Sequence, residues 1–162
     1  MSLSNEQIKL IQASFSQVAP IADQAANIFY NKLFEYDPEL RRLFKTNLNE
    51  QGKKLMQTLG VAVGALRDLN ALVPVLEKLA IKHLDYGVKV DDYTPVGNAL
   101  IYTLKQGLGS AFTPELKQAW TSLLKVVFIT ADPANGRFTG VHNEKSNAEH
   151  DGCRRPCGCR TG

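Results

Sequence analysis

The stretch FYNKLFEYDPELRRLF, residues 29–44, decides the fold, because it reads as helix, break and short helix within one window. Phe29, Leu33 and Phe34 recur at helical spacing and share one apolar face, which Ile28 extends. Pro20 suits the first turn of that helix. Asp37-Pro38 then starts a short piece running to Phe44, since Asp caps a helix and Pro tolerates its first position. Tyr30 stands inside the apolar run and carries a hydroxyl that needs a partner.

The same period continues outward on both sides. Upstream, Ser4 and Gln7 form a capping-box signature, with Ile8, Ile11 and Phe15 continuing one face. Downstream, a polar stretch from Lys45 to Asn49 precedes a helix from about Asn49 to Arg67, with Leu55, Leu59, Ala62 and Leu66 on one side. A helix from about Leu72 to Leu84 places Leu76, Leu79, Ala80 and His83 on one stripe, away from solvent. Another begins near Asp91-Asp92 and carries Val96, Leu100, Leu104 and Leu108. Thr113-Pro114 opens the last, with Leu116, Ala119, Trp120, Leu123 and Val127 inward, and Pro133 and Gly136 end it. No strand alternation or internal repeat is present, so the sequence predicts an all-α fold of seven or eight helices.

The chain has 162 residues, 44% hydrophobic and 22% charged. That composition belongs to an ordinary globular chain of one domain. Residues 1–132 hold 14 Lys+Arg against 13 Asp+Glu, and residues 133–162 hold 5 against 3. Neither part has the dense basic face that phosphate neutralisation needs, so no nucleic-acid partner is expected. No run of roughly 18 or more apolar residues exists to span a membrane. The first basic residue is Lys9, and no secretory leader is read there, so a cytoplasmic location is expected.

Composition shifts after Asp132. Phe138 and Val141 are the only large aliphatic or aromatic residues of the last segment, which is read as a flexible tail, 133–162, beside a body, 1–132. The tail holds Cys153, Cys157 and Cys159, together with His142 and His150. The spacing His150-x-x-Cys153-x3-Cys157-x-Cys159 can be set against a zinc site, but it fits no familiar ligand arrangement. An unstructured, oxidisable segment is the favoured reading.

The body contains one histidine, His83, and no cysteine. Two readings of it stay open. One is a neutral core histidine bonded to a carbonyl. The other is a metal ligand in an apolar pocket. The body offers no second histidine and no carboxylate cluster, so a metal at His83 needs its other ligands from a cofactor. Haem supplies four nitrogens and takes one proximal histidine from the protein. The opposite wall of such a pocket needs a polar residue among apolar ones. Gln51 and Leu55 lie one turn apart, Tyr30 brings a hydroxyl, and Phe44 closes the short helix.

FYNKLFEYDPELRRLF (29–44), QGKKL (51–55), LAIKHLDYGV (79–88), DYTPVG (92–97) and Ala119-Trp120 together resemble the globin family. The resemblance is to single-domain bacterial haemoglobins and the globin half of flavohaemoglobins, and covers about residues 5 to 130. It implies a globin fold around haem b, with His83 as the iron ligand. Phe44, Leu55, Val88, Tyr93 and Val96 would contact the haem, Tyr93 lying behind His83. Tyr30, Gln51 and Leu55 would face the bound gas. The resemblance implies reversible binding of O₂, and also of CO and NO, for transport or scavenging, with no catalytic residue of the chain's own. Nitric oxide dioxygenation with a separate reductase, or gas sensing, are the alternatives. The glutamate that bacterial members carry late in the last helix falls here near Asn135, so a strong push on the iron is not expected.

Overall fold

Four of the six described α-helices begin where a side chain accepts from a first-turn amide. The computed structural model describes residues 3–131, and the expected tail with its cysteines, as well as Pro133, Asn135 and Gly136, lies outside the described residues. Helix α1, Asn5–Val18, carries the complete capping box: Gln7 N donates to Ser4 Oγ at 3.2 Å and Ser4 N to Gln7 Oε1 at 3.0 Å. Asp68 caps α4, Leu69–Asp85, by accepting from Ala71 N at 3.2 Å. Thr113 accepts from Leu116 N at 3.2 Å ahead of α6, Pro114–Ala131.

Three further α-helices complete the described chain: α2, Ala22–Tyr36, α3, Leu48–Gly64, and α5, Tyr93–Leu108. Short 3₁₀ turns at Ala19–Ile21, Pro38–Leu43, Val90–Asp92 and Gly109–Ala111 join or extend them. The all-α expectation holds among these residues. Three boundaries move. The helix read from about Asn49 to Arg67 ends at Gly64, where Ala65 N turns back to the Val61 and Val63 carbonyls. Pro20 sits in a 3₁₀ turn ahead of α2 rather than in its first turn. The fourth helix starts three residues before Leu72, because Asp68 supplies the cap; this encloses Pro74, which has no amide to offer the Asn70 carbonyl.

The core is laid down by α1, α2, α5 and α6. Helix α2 crosses α5 and α3, α1 packs on α6, and α4 leans on α6. Ile11, Leu33, Leu66, Leu72, Ala99 and Trp120 are almost wholly enclosed. Trp120 Nε1 donates to Ser14 Oγ at 2.9 Å, and Ser14 Oγ donates to the Ile11 carbonyl at 2.8 Å, so this part of the core contains no loose polar atom. Helices α3 and α4, consecutive in the chain, are not among the pairs that pack closely. Each leans on other helices instead.

No described helix is long and apolar enough to cross a membrane.

Candidate functional site

On the α3 side, the close approach of two backbones fixes the geometry. Gly52 is buried, and a Cβ there would lie 2.7 Å from Ala26 Cβ and 3.9 Å from the Tyr30 ring. Only the missing side chain lets α3 lie this near α2. Tyr30 itself is packed in aromatic rings: Phe29 edge-on at 5.1 Å, Phe44 edge-on at 5.3 Å and Phe34 stacked at 6.0 Å. Phe34 and Phe44 also meet each other at 5.5 Å. These contacts leave the tyrosine ring little freedom to turn.

The Tyr30 ring is enclosed, yet no protein acceptor holds its hydroxyl, while no sealed polar side-chain atom goes unpartnered among the described residues. The oxygen therefore opens onto free space. Burial pushes the phenol up to about 12, so it stays protonated, and a donor, at neutral pH. Leu55 and Phe44 are half-buried apolar neighbours of the core. Gln51 is half-buried too, but its amide donates to Thr46 Oγ1 in the loop before α3. Sequence reasoning missed both Gly52 and Thr46. A glycine in a helix interior, which costs about 1 kcal/mol against alanine, was the available signal for the first; nothing marks Thr46.

On the α4 side, His83 occupies the last turn of the helix. It lies at the border of the apolar stripe, half-buried, rather than inside it as the pattern predicted. The buried line runs through Leu72, Leu76 and Ala80. Steps of four residues drift by about 40° each, so this line turns away and leaves Leu79 and His83 at its edge. His83 Nδ1 lies 2.7 Å from the Leu79 carbonyl. With Nδ1 as the donor, Nε2 has its lone pair and no partner among the described residues.

The helix then ends in a tight motif. Gly87 takes φ of +81°, a left-handed conformation that glycine adopts without strain. Val88 N donates to the His83 carbonyl at 3.0 Å and Gly87 N to the Leu84 carbonyl at 2.9 Å. This fixes the histidine's turn and brings Val88 back beside it. Tyr93, the first residue of α5, stacks on Phe128 at 5.0 Å, and Val96 is half-buried one turn later.

Thus the structure assembles two groups. Tyr30, Phe44 and Gln51 belong to one; Leu79, His83 and Val88 to the other. No hydrogen bond or ring contact among the described residues joins them. No cluster of three His, Cys, Asp or Glu side chains able to hold a bare metal ion is found among those residues either.

The globin sequence pattern matches residues 27–131, well over half the chain. The chain belongs to the globin family. It is 34% identical over 139 residues to a neuroglobin of Tetraodon nigroviridis, covering 77% of this chain and 87% of that protein. It is 33% identical over 124 residues to a flavohemoprotein of Bordetella parapertussis, covering 74% of this chain. A flavohemoprotein of Chromobacterium violaceum is 28% identical over 151 residues. This globin spans about a third of the two flavohemoproteins, 31% and 36% of their lengths. Membership of the family implies binding of haem, and of a gas at the haem. The residues present fit that group: an imidazole nitrogen of His83 without a hydrogen bond, no cluster of competing metal ligands among the described residues, and half-buried apolar side chains at Phe44, Leu55 and Val96.

Proposed function

We propose that this globin holds haem b between α3 and α4, through Nε2 of His83, and reversibly binds O₂, and also CO and NO, on the side of Tyr30. The single observation that carries the reading is the pair of open polar atoms, His83 Nε2 and the Tyr30 hydroxyl, in a fold that leaves no enclosed polar side-chain atom unpartnered among the described residues. When bound, the haem supplies an iron with one coordination position left for a diatomic gas.

The chain's own residues do the rest. The Leu79 carbonyl accepts from Nδ1–H, which fixes the ring's tautomer and orientation and strengthens Nε2 as a donor. The Tyr30 hydroxyl donates a hydrogen bond toward a gas that has gained negative charge. Such a bond is worth roughly 1.5–3 kcal/mol, and it favours O₂ over the less polar CO. Leu55, Phe44, Val88 and Val96 keep water from the site, which lowers the local dielectric and strengthens that bond. Gln51 is a reserve donor: with its amide on Thr46, it joins Tyr30 only after leaving that partner.

Similarity to flavohemoproteins supports a second reading, nitric oxide dioxygenation, in which a separate reductase restores the haem after each turnover. A gas-sensing role is the remaining alternative.

Absorption spectra of the purified chain with added haem, oxidised, reduced and then exposed to CO, test the main reading. Stoichiometric uptake with a Soret band that shifts on CO is the expected result. His83→Ala should lose the band and regain it with added imidazole. Normal haem uptake by that variant would remove His83 from the proposed role. Repeated NO consumption once a generic flavodoxin reductase is added would favour the second reading.

A further inference from the structure

Helices α5 and α6 leave an open groove of about 850 Å³ between them, on residues that the proposed haem site uses only at Tyr93. Its floor is apolar and aromatic, with Ile101, Tyr102, Leu124 and the Tyr93–Phe128 stack. Its edges carry Lys105, Lys117 and Lys125, and no Asp or Glu lines it. Lys117, Thr121 and Lys125 follow one another at four-residue steps along α6, so the two α6 ammonium groups are spaced along the groove by about 12 Å of helix rise.

The lysines differ from the neighbouring cation. Lys32, beside the same groove, is already engaged: Glu35 pairs with it at 2.9 Å, and it lies over the rings of Tyr102 and Tyr36 at 4.6 and 5.2 Å. Lys105, Lys117 and Lys125 form no ion pair or hydrogen bond among the described residues. Three uncompensated like charges around an apolar floor repel one another, and an anionic occupant relieves that repulsion.

The groove's form decides the size of the occupant. A small-ligand site encloses most of its ligand; this one is broad and open. The rest of the chain is also poorly matched, since residues 133–162 carry 5 Lys+Arg against 3 Asp+Glu. We infer that the α5–α6 groove docks an acidic amphipathic helix of a partner protein, its apolar side on Ile101 and Leu124 and its carboxylates on Lys105, Lys117 and Lys125.

Fluorescence anisotropy on the full chain tests this, with a panel of labelled acidic amphipathic helical peptides bearing carboxylates at four- and eight-residue spacing, and a basic counterpart as control. The acidic members should bind, with affinity falling roughly tenfold or more as salt is raised from low to physiological ionic strength. Combined Lys105→Glu, Lys117→Glu and Lys125→Glu should abolish binding. Lys45→Glu, Lys78→Glu and Lys89→Glu, which change net charge equally on other surfaces, should leave it intact. Ile101→Asp should weaken it at unchanged helix content. Equal loss in both lysine sets would reduce the effect to net charge and overturn the inference. So would failure of every acidic peptide to bind, or binding of phosphatidylserine vesicles through the same lysines that the peptides do not displace.

Discussion

Trp120 and Tyr30 are both enclosed aromatic rings with one polar atom, and the fold treats them oppositely. Trp120 is tied: its Nε1 donates to Ser14, which donates onward to a carbonyl of α1. Tyr30 is clamped as firmly by Phe29, Phe34 and Phe44, yet its hydroxyl has no acceptor among the described residues. The α1–α6 region is therefore complete as it stands. The region around Tyr30 packs its ring and leaves its hydroxyl open. A polar atom closed off by its own chain serves the fold. One held rigidly and left open serves something that arrives from outside.

The largest test of that contrast is Trp120→Ala. It should cost about 3–5 kcal/mol of stability, read by urea denaturation of the haem-free chain. A loss below about 1 kcal/mol would mean that the α1–α6 region is no more sealed than the other.

Alkaline titration comes next. Burial raises the Tyr30 phenol from its ordinary 10.0 to about 12. The neutral form is thus favoured in the folded chain. Stability is fully present below the unfolded value and falls as pH climbs through the folded one. That part of the loss falls between about pH 10 and 12, and with the hydroxyl open to free space solvent screening holds it to roughly 1–2 kcal/mol. Denaturation midpoints across that range should flatten in Tyr30→Phe; an unchanged alkaline slope would place the hydroxyl in water.

Gly52→Ala probes the seam between the regions. The new methyl would sit 2.7 Å from Ala26 Cβ, so α2 and α3 must part. Overpacking of this kind costs about 1–3 kcal/mol, against about 1 kcal/mol gained in helix propensity. A net loss should appear in denaturation, partly restored by adding Ala26→Gly.

The smallest effect sharpens the chemistry. Tyr30→Phe should speed O₂ dissociation from the haem-loaded chain at least tenfold, or about 1.4 kcal/mol, with little change for CO. Equal effects on both gases, measured by flash photolysis, would take the hydroxyl out of the gas site.

The fold was legible because its signals are local. Ser4, Asp37 and Thr113 cap where their side chains predict, and the apolar period of α6 buries Leu116, Ala119, Trp120 and Leu123 as read. The candidate site was legible in its residues and less so in their surroundings. A periodic pattern places His83 on a stripe, but it cannot tell that the side chain stays half-buried at that stripe's edge. The Gly52 approach to Ala26 is a contact between segments, and no short window encodes it; Thr46 lies five residues from Gln51, but no pattern of residue types marks that pair. Pro74 inside α4 contradicts local preference, and the helix forms there regardless because Asp68 caps it three residues earlier than the apolar pattern begins.

The Ser14–Trp120 hydrogen bond spans 106 positions of sequence. A chain emerging from the ribosome cannot make it until α6 has been synthesised. Through most of translation the inner face of α1 therefore waits without its final partner. Contacts of such separation are slow to form. Closing the sealed region is consequently a late event in the life of the nascent chain, and a stall shortly before Trp120 would present Ile8, Ile11 and Ser14 to whatever else is within reach.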